Sequence, residues 1–303
     1  MKRFFITLTL IAAFALSASA QKTYIELPCK ADKIIKHWDN KKAPHSNEET
    51  KDELLDPKTG FLRQTSQTVF YLYQADQEIA TGQSVVILPG GGYGAVCITR
   101  EGFALAEYFK SIGVTALVVK YRLPNYGHKE VPLEDAQAGL EYLRKNAKKL
   151  GIDPAKVGIA GSSAGGHLAA YTSTFTEDAK KPAFSVLFYP VISGESCMTH
   201  QNTFLRLLGK NHAPYLREYY SLNNRVTTTT PPTLLLLSSD DRTVPPVNSI
   251  LYYNALKHYG VPASMHIYPE GGHGWVCKDT FRYDKEWKMQ LKKWLEFLNK
   301  ENK

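Results

Sequence analysis

Short apolar runs typical of buried strands alternate with helical apolar stripes along most of this chain, and no other feature restricts the fold as strongly. The strand-like runs lie at residues 84–88, 115–119, 184–189, 233–238 and 264–268. Between two of them, Leu133, Ala136, Leu140 and Leu143 recur at spacings of three and four, which is the period of a helix. Strands joined through helices run parallel, with helices on both faces of the sheet. The alternation therefore predicts an α/β fold with a mostly parallel, doubly wound sheet.

A Gly-x-Ser-x-Gly pentad, Gly161 to Gly165, directly follows an apolar run that begins at Val157. A serine between a strand and a helix is held on a sharp turn that lifts its hydroxyl clear of the sheet, and the flanking glycines keep that turn uncrowded. Ser162 offers a second hydroxyl, but the second position of the pentad points away from the apex. The pattern predicts that Ser163 is a nucleophile.

A serine nucleophile needs a base and an acid that orients the base, and both follow in the chain. His273 lies in a Gly-Gly-His-Gly segment after the run at 264–268. Asp240 and Asp241 come after the run at 233–238, and only one of them can face the histidine. The order serine, acid, histidine is that of α/β-hydrolases and differs from the chymotrypsin and subtilisin orders.

The run at 84–88 is followed by a loop that has three consecutive glycines after Pro89. Such a loop can turn backbone N–H groups toward a reacting carbonyl and so stabilise the oxyanion. The related loops of lipases and esterases open with histidine where this chain has Pro89. We expect the amides of Gly91, Gly92 and Ala164 to form the oxyanion hole.

Several motifs occur together in one order: Pro-Gly-Gly-Gly-Tyr-Gly at 89–94, Lys-Tyr-Arg-Leu-Pro at 120–124, Pro-Leu-Glu-Asp-Ala at 132–136, Gly-Ser-Ser-Ala-Gly-Gly-His at 161–167 and Asp-Arg-Thr-Val-Pro at 241–245. With these motifs the chain resembles secreted acetyl-xylan-esterase-like carbohydrate esterases of the α/β-hydrolase superfamily, in the branch with bifunctional acetyl and feruloyl esterases. The likeness covers roughly residue 83 to the C-terminal helix. It implies Ser163 as nucleophile, His273 as base and Asp241 as acid, which leaves Asp240 as a turn residue.

The resemblance implies an exported serine esterase that removes acetyl groups, with feruloyl as a second candidate, from plant cell-wall polysaccharide such as xylan through an acyl-enzyme. The partner is then an acylated oligosaccharide or polysaccharide. Two other functions stay open. One is a prolyl-oligopeptidase-like serine peptidase, although the chain has no room for an upstream propeller. The other is a non-catalytic carbohydrate-binding protein on a hydrolase scaffold, although such proteins usually lack a triad member.

Three further side chains are candidates for substrate binding. Tyr93 follows the glycine loop and Trp275 follows the histidine, so either ring could stack on a sugar or an aromatic acyl group, or simply pack in the wall. His200 lies in the stretch near 190–232, which has no strong period. In an α/β-hydrolase this stretch is expected to form a small cap insertion over the sheet's C-terminal edge. His167 is expected to be structural.

The first 20 residues have the pattern of a signal peptide, with Lys2 and Arg3, then an apolar stretch, then Ala18-Ser-Ala20 as the cleavage site. We expect a secreted or periplasmic protein that begins at Gln21. Residues 21–67 match no motif and are predicted to be an N-terminal extension packed on the core, with the hydrolase domain at 68–303. No later stretch is long and apolar enough for a membrane anchor.

The charge and metal-ligand patterns argue against other classes. Without the signal, 35 basic residues face 29 acidic ones, a mildly basic balance that is spread over many segments and does not predict nucleic-acid binding. No metal-ligand spacing and no phosphate-loop signature occur, so we expect no metal and no cofactor. The four cysteines, which are Cys29, Cys97, Cys197 and Cys277, show no pairing pattern. The oligomeric state is left open.

Overall fold

The computed structural model describes residues 24–301. Its strands are β1 (Lys33–Asp39), β2 (Leu54–Asp56), β3 (Phe61–Arg63), β4 (Gln67–Tyr73), β5 (Ser84–Leu88), β6 (Val96–Cys97), β7 (Thr115–Lys120), β8 (Val157–Ser162), β9 (Ser185–Phe188), β10 (Thr233–Ser238) and β11 (Ala263–Tyr268). Eight of them form one sheet in the order β1-β4-β7-β5-β8-β9-β10-β11. Seven of these strands point in the same direction, and β4 alone points in the opposite direction. The predicted mostly parallel sheet is confirmed.

Helices cover this sheet in two layers. They are α1 (Leu105–Ser111), α2 (Glu130–Lys145), α3 (Ala147–Leu150), α4 (Ala164–Phe175), α5 (Gln201–Leu208), α6 (Tyr215–Tyr219), α7 (Val247–His258) and α8 (Asp284–Glu301). In one layer α1 meets α8, where the Tyr108 and Trp287 rings lie 5.2 Å apart. In the other layer α2 packs against α4. The apolar stripe of α2 is buried, with Ala136, Leu140 and Leu143 at most 1% exposed, so the helical period read from the sequence marks the core-facing side.

The position of β5 determines where a ligand can bind. From β5 the chain crosses to β7 on one side, and β8 lies on the other side. The loops that leave the carboxyl ends of β5 and β8 therefore diverge, and a crevice opens between them, which is the usual ligand position in open α/β sheets. The glycine loop follows β5 and the serine pentad ends β8, so both predicted motifs reach this crevice.

The segment predicted as an N-terminal extension supplies strands to both sheets. β1 pairs with β4 at the edge of the large sheet, and β2 and β3 form a small sheet with β6. A fully buried ion pair, Lys120 to Glu53 at 2.6 Å, joins this segment to β7. The segment up to residue 67 is thus continuous with the sheet of the domain that we predicted to begin at 68. The predicted signal peptide lies outside the described residues.

The four cysteines are all free thiols in the described structure. Burial raises the pKa of the Cys97 thiol to about 12, so this side chain is protonated at neutral pH. Within residues 24–301, no helix combines the length and the apolar character needed to cross a bilayer.

Candidate active site

Ser163 occupies the sharp turn that the pentad predicts. Its backbone has φ 55° and ψ −120°, a conformation that residues other than glycine rarely adopt. A Cβ atom at Gly161 would lie 2.1 Å from the Gly165 carbonyl oxygen, and one at Gly165 would lie 2.0 Å from that of Leu88. Both glycines are therefore required by close backbone contacts. Ser162 is 1% exposed and points into the interior, while Ser163 faces the crevice.

The structure brings Ser163, His273 and Asp241 into one line of hydrogen bonds. The Ser163 hydroxyl lies 2.8 Å from His273 Nε2, and His273 Nδ1 lies 2.6 Å from Asp241 Oδ2. Because Asp241 can only accept when ionised, Nδ1 carries the proton and Nε2 is left to accept the serine proton. The other Asp241 oxygen accepts the amides of Thr243 and Val244 at 2.9 Å each, so the carboxylate is held in place.

The adjacent Asp240 has a different position. Its carboxylate accepts the Gly272 amide at 2.8 Å and the Gly271 amide at 3.3 Å. The hydrogen bond from the Gly272 amide lowers the pKa of Asp240, and the one from the Gly271 amide adds a smaller effect in the same direction. Asp240 therefore tethers the loop that carries His273, while Asp241 faces the imidazole.

The three predicted oxyanion donors have N–H groups without a protein acceptor in the described part of the chain, and two of these residues, Gly91 and Gly92, line the cavity. Within residues 24–301, the amides of Gly91, Gly92 and Ala164 donate to no protein acceptor. Ala164 is the first residue of α4, where the helix dipole adds positive potential. Gly91 adopts φ 133°, and a Cβ there would lie 2.2 Å from the Ala95 carbonyl oxygen. The loop can take this course only with glycine.

A cavity of about 400 Å³ opens over Ser163 and His273. Its other lining residues are Phe61, Gly91, Gly92, Cys97, Arg100, Glu101, His200, Asn202, Arg206, Thr243 and Gly274. His200 reaches it from the start of α5 and bonds Thr203 Oγ1 at 2.8 Å through Nδ1. Burial, with a smaller contribution from His273, lowers the pKa of His200. The stretch predicted as a cap insertion thus contributes His200, Asn202 and Arg206 to one wall.

Tyr93 and Trp275 do not face this cavity, which corrects the suggestion that they stack on a substrate. Tyr93 is 1% exposed and its hydroxyl lies 3.1 Å from His167 Nδ1. Trp275 is also 1% exposed and stacks on Phe281 with ring centroids 4.2 Å apart. Neither ring has a free face beside Ser163, so the alternative of wall packing describes both. Phe61 of β3 is the aromatic side chain that lines the cavity.

Glu101 is a site residue that the sequence reasoning missed. The residue is 4% exposed, and its carboxylate accepts the Gly90 amide at 2.8 Å and the Tyr189 hydroxyl at 3.0 Å. The Tyr189 ring packs edge-on against His273 at 4.7 Å. Glu101 therefore connects the glycine loop to the histidine. It lies in a π-helical turn, Ile98–Ala104, and no spacing in the sequence marks it.

His167 fixes the glycine loop from the interior side. It is fully buried, its Nε2 donates to the Tyr220 carbonyl at 3.2 Å and its Nδ1 accepts from the Tyr93 hydroxyl. Burial lowers the pKa of His167 to about 4, so the ring is neutral at pH 7. The structural role expected for this histidine agrees with this position, which ties α4 to the glycine loop and to the cap insertion.

Comparisons with known proteins agree with this fold. A family described by the alpha/beta hydrolase fold matches residues 85–277. An acetylxylan esterase of Xylanibacter ruminicola is 39% identical over 225 residues, which are 73% of this chain and 47% of that protein. Endo-1,4-beta-xylanase B of Butyrivibrio fibrisolvens is 34% identical over 65% of this chain and 33% of its own length. The chain thus spans about half or less of these relatives.

Two solved structures align with this chain over most of its length and most of their own length. One is the acetyl ester-xyloside bifunctional hydrolase from Caldicellulosiruptor lactoaceticus, with a TM-score of 0.72 and 34% identity over 89% of this chain and 97% of that chain. A sugar hydrolase from Lactococcus lactis aligns with a TM-score of 0.66 and 28% identity over 78% of this chain and 96% of that one.

Proposed function

The chain belongs to the α/β-hydrolase family, and from this premise we propose that it is a serine esterase that removes acetyl groups from xylan-type polysaccharide. The predicted resemblance to acetyl-xylan-esterase-like hydrolases is confirmed by the relatives described above. The observation that carries the proposed mechanism is the hydrogen-bonded line Ser163–His273–Asp241 beside an open cavity.

In the first half of the reaction, His273 Nε2 takes the Ser163 proton as the serine oxygen attacks the ester carbonyl carbon. The carbonyl π electrons move onto oxygen, and the tetrahedral oxyanion is held by backbone amides. Collapse breaks the bond to the sugar oxygen, which takes the proton from His273. Asp241 keeps the imidazole oriented and stabilises its protonated form.

In the second half, a water gives a proton to His273 Nε2 and attacks the acetyl-serine. The new tetrahedral intermediate collapses to acetic acid, and His273 returns the proton to the Ser163 oxygen; the acetic acid then loses a proton to solvent and leaves as acetate. The oxyanion is held in both halves by the amides of Gly91, Gly92 and Ala164. Each such donor contributes about 100- to 1,000-fold to turnover. No protein acceptor among the described residues competes for these N–H groups.

The cavity suits a small acyl group beside a sugar. Polar side chains from the cap insertion, His200 and Asn202, can donate to or accept from sugar hydroxyls, and Phe61 offers an apolar surface. Because Tyr93 and Trp275 are buried, stacking on an aromatic acyl group would depend on Phe61. We propose acetyl as the main acyl group and keep feruloyl as a second substrate to be tested.

Acetate release from acetylated xylan tests this function. Wild type should release acetate, Ser163→Ala should lose the activity by about 10⁶-fold, and Ser162→Ala is the matched control because its hydroxyl is buried. A proline-containing peptide, assayed in parallel, tests the peptidase alternative. Equal rates for wild type and Ser163→Ala would instead favour a non-catalytic protein.

We also propose that the protein is exported through cleavage after Ala20. The support is the pattern of charged, apolar and small residues at 1–20. Sequencing the N-terminus of the mature protein from a bacterial host that secretes it should read Gln21 first, and a retained Met1 would refute the proposal.

A further inference from the structure

Two arginines beside the nucleophile lack a carboxylate partner. Arg100 and Arg206 both line the cavity over Ser163, and within residues 24–301 neither lies within 4.0 Å of a carboxylate. Arg206 donates one hydrogen bond, to the Gly92 carbonyl at 2.9 Å. Arg100 Nε is buried without any hydrogen-bond partner. Two guanidinium groups with spare donors thus face the place where a substrate would bind.

Elsewhere this fold pairs its buried cations. Lys120 contacts both oxygens of Glu53 at 2.6 and 2.8 Å, and Arg122 binds Asp135 through Nε and Nη2. Arg100 and Arg206 are half-buried, and neither has such a carboxylate partner. The buried Nε of Arg100 has no hydrogen-bond partner within residues 24–301, which is costly for a donor unless a ligand supplies the acceptor.

The neighbouring carboxylate does not serve Arg100. Glu101 accepts the Gly90 amide and the Tyr189 hydroxyl, and neither of its oxygens lies within 4.0 Å of the Arg100 guanidinium nitrogens. A nearby carboxylate would be the usual partner of an arginine. The guanidinium of Arg100 is therefore left to a group that comes from outside the chain.

The two arginines border different loops of the site. Arg100 Nη2 is 3.5 Å from the point that a Cβ of Gly274 would occupy, so it borders the loop of His273. The Arg206 guanidinium lies 2.4 Å from the corresponding point at Gly94, on the side of the glycine loop. A guanidinium presents a planar fork that matches a carboxylate with two parallel hydrogen bonds. Both guanidinium groups line the same cavity as Ser163, where a substrate carboxylate could reach them.

From these observations we propose that Arg100, together with Arg206, forms a subsite for a carboxylate on the substrate. The inference rests on the proposed esterase function and narrows its substrate class. The carboxylate is carried either by the sugar, as a uronic acid substituent beside the acetylated residue, or by the acyl group, as in a half-ester of a dicarboxylic acid. No covalent step is added, because the subsite only binds and orients.

The test compares charged and neutral substrates in two arms. In the sugar arm, kcat/KM for deacetylation is measured on acetylated xylo-oligosaccharides with and without a uronic acid substituent. In the acyl arm, 4-methylumbelliferyl monoglutarate is compared with the valerate ester after subtraction of the uncatalysed rate. The full chain is assayed as wild type, Arg100→Met, Arg100→Lys and Arg282→Met. Arg282 is exposed and bound to Glu270, so its removal controls for the loss of one positive charge.

We expect wild type to prefer the charged substrate in at least one arm. The ratio of charged to neutral kcat/KM should fall about 10- to 100-fold in Arg100→Met, since one charge-assisted pair is lost. Arg100→Lys should retain part of the preference, and Arg282→Met should retain all of it. If wild type prefers the charged substrate in just one of the two arms, that arm shows whether the sugar or the acyl group carries the carboxylate. No preference in either arm, or a ratio unchanged in Arg100→Met, overturns the subsite.

A binding measurement separates this inference from the esterase function. Ser163→Ala is titrated calorimetrically with the uronic acid oligosaccharide and with its neutral counterpart, alone and combined with Arg100→Met. Tighter binding of the acidic sugar that disappears with Arg100→Met supports a sugar-side subsite whatever the turnover. If wild type does not turn over the neutral substrate, the proposed esterase function is refuted. The binding result still tests whether the carboxylate subsite exists.

Discussion

Removal of the Glu101 carboxylate should impair both stability and turnover. Glu101→Ala leaves two buried donors, the Gly90 amide and the Tyr189 hydroxyl, without their acceptor. Each unpaired buried donor costs about 1–3 kcal/mol, so we expect a loss of about 2–6 kcal/mol in the free energy of unfolding. Glu101→Gln keeps the shape but replaces charge-assisted bonds by neutral ones, which should cost about 1–3 kcal/mol.

The same change should slow the reaction because Gly90 precedes the oxyanion donors. Loss of a whole donor costs about 100- to 1,000-fold, and Glu101→Ala displaces a donor without deleting it, so kcat should fall about 10- to 100-fold. KM should change less, since the donors act mainly on the tetrahedral oxyanion. The glutamine variant should recover much of the loss, which a general defect in packing would not predict.

Urea unfolding and steady-state kinetics on p-nitrophenyl acetate measure both effects. The control is Glu107→Ala, which removes a partly exposed carboxylate of α1 that pairs with Lys30. It should leave kcat and stability nearly unchanged. A folded Glu101→Ala enzyme with kcat within about twofold of wild type, at substrate saturation, would refute the positioning argument.

Three further predictions concern the acid, a buried histidine and a buried ion pair. Asp241→Asn should lower kcat about 10⁴-fold because it disfavours the required imidazole tautomer, whereas Asp240→Asn should lower it less than tenfold; steady-state kinetics of both distinguish the two carboxylates. The pKa of His167 is about 4 in the folded state against 6.5 when unfolded. Between these pH values only the unfolded state binds the proton, so the free energy of unfolding should decrease as the pH falls from about 6.5 to 4. The total decrease should reach up to about 3 kcal/mol. Urea unfolding at several pH values should show this slope, and a folded His167→Gln variant that keeps the whole slope would contradict the assignment. Lys120→Met should cost about 3–5 kcal/mol by leaving Glu53 buried without its cation, and a melting temperature equal to that of wild type would count against this.

The strand and helix patterns and the pentad turn could be predicted because their signals are local. An apolar run of five or six residues and a stripe at helical spacing are properties of neighbouring positions. The need for Gly161 and Gly165 follows from the turn itself, and the structure shows the backbone contacts at those two positions. The serine, acid and histidine order also lies in the chain, although their meeting required the sheet.

Tertiary structure decided between candidates of the same chemical type. Asp240 and Asp241 are adjacent carboxylates after the same strand, and only the direction of each side chain separates the loop tether from the residue that faces His273. Tyr93 and Trp275 flank the correct motifs in sequence, yet both rings turn into the core. Side-chain direction at a loop depends on packing partners that are distant in the chain, so sequence neighbourhood cannot predict it.

By itself the sequence determined the fold class, the sharp turn that carries Ser163 and the glycine loop, since each follows from residue types at fixed local spacing. Only the tertiary structure brought Phe61 and Glu101 to the cavity and left Arg100 there without a partner. These side chains come from a small-sheet strand and a π-helical turn that no period marks. The physical reason is that a site's polarity and shape arise from contacts between segments far apart in the chain, whereas propensity and periodicity describe one segment at a time.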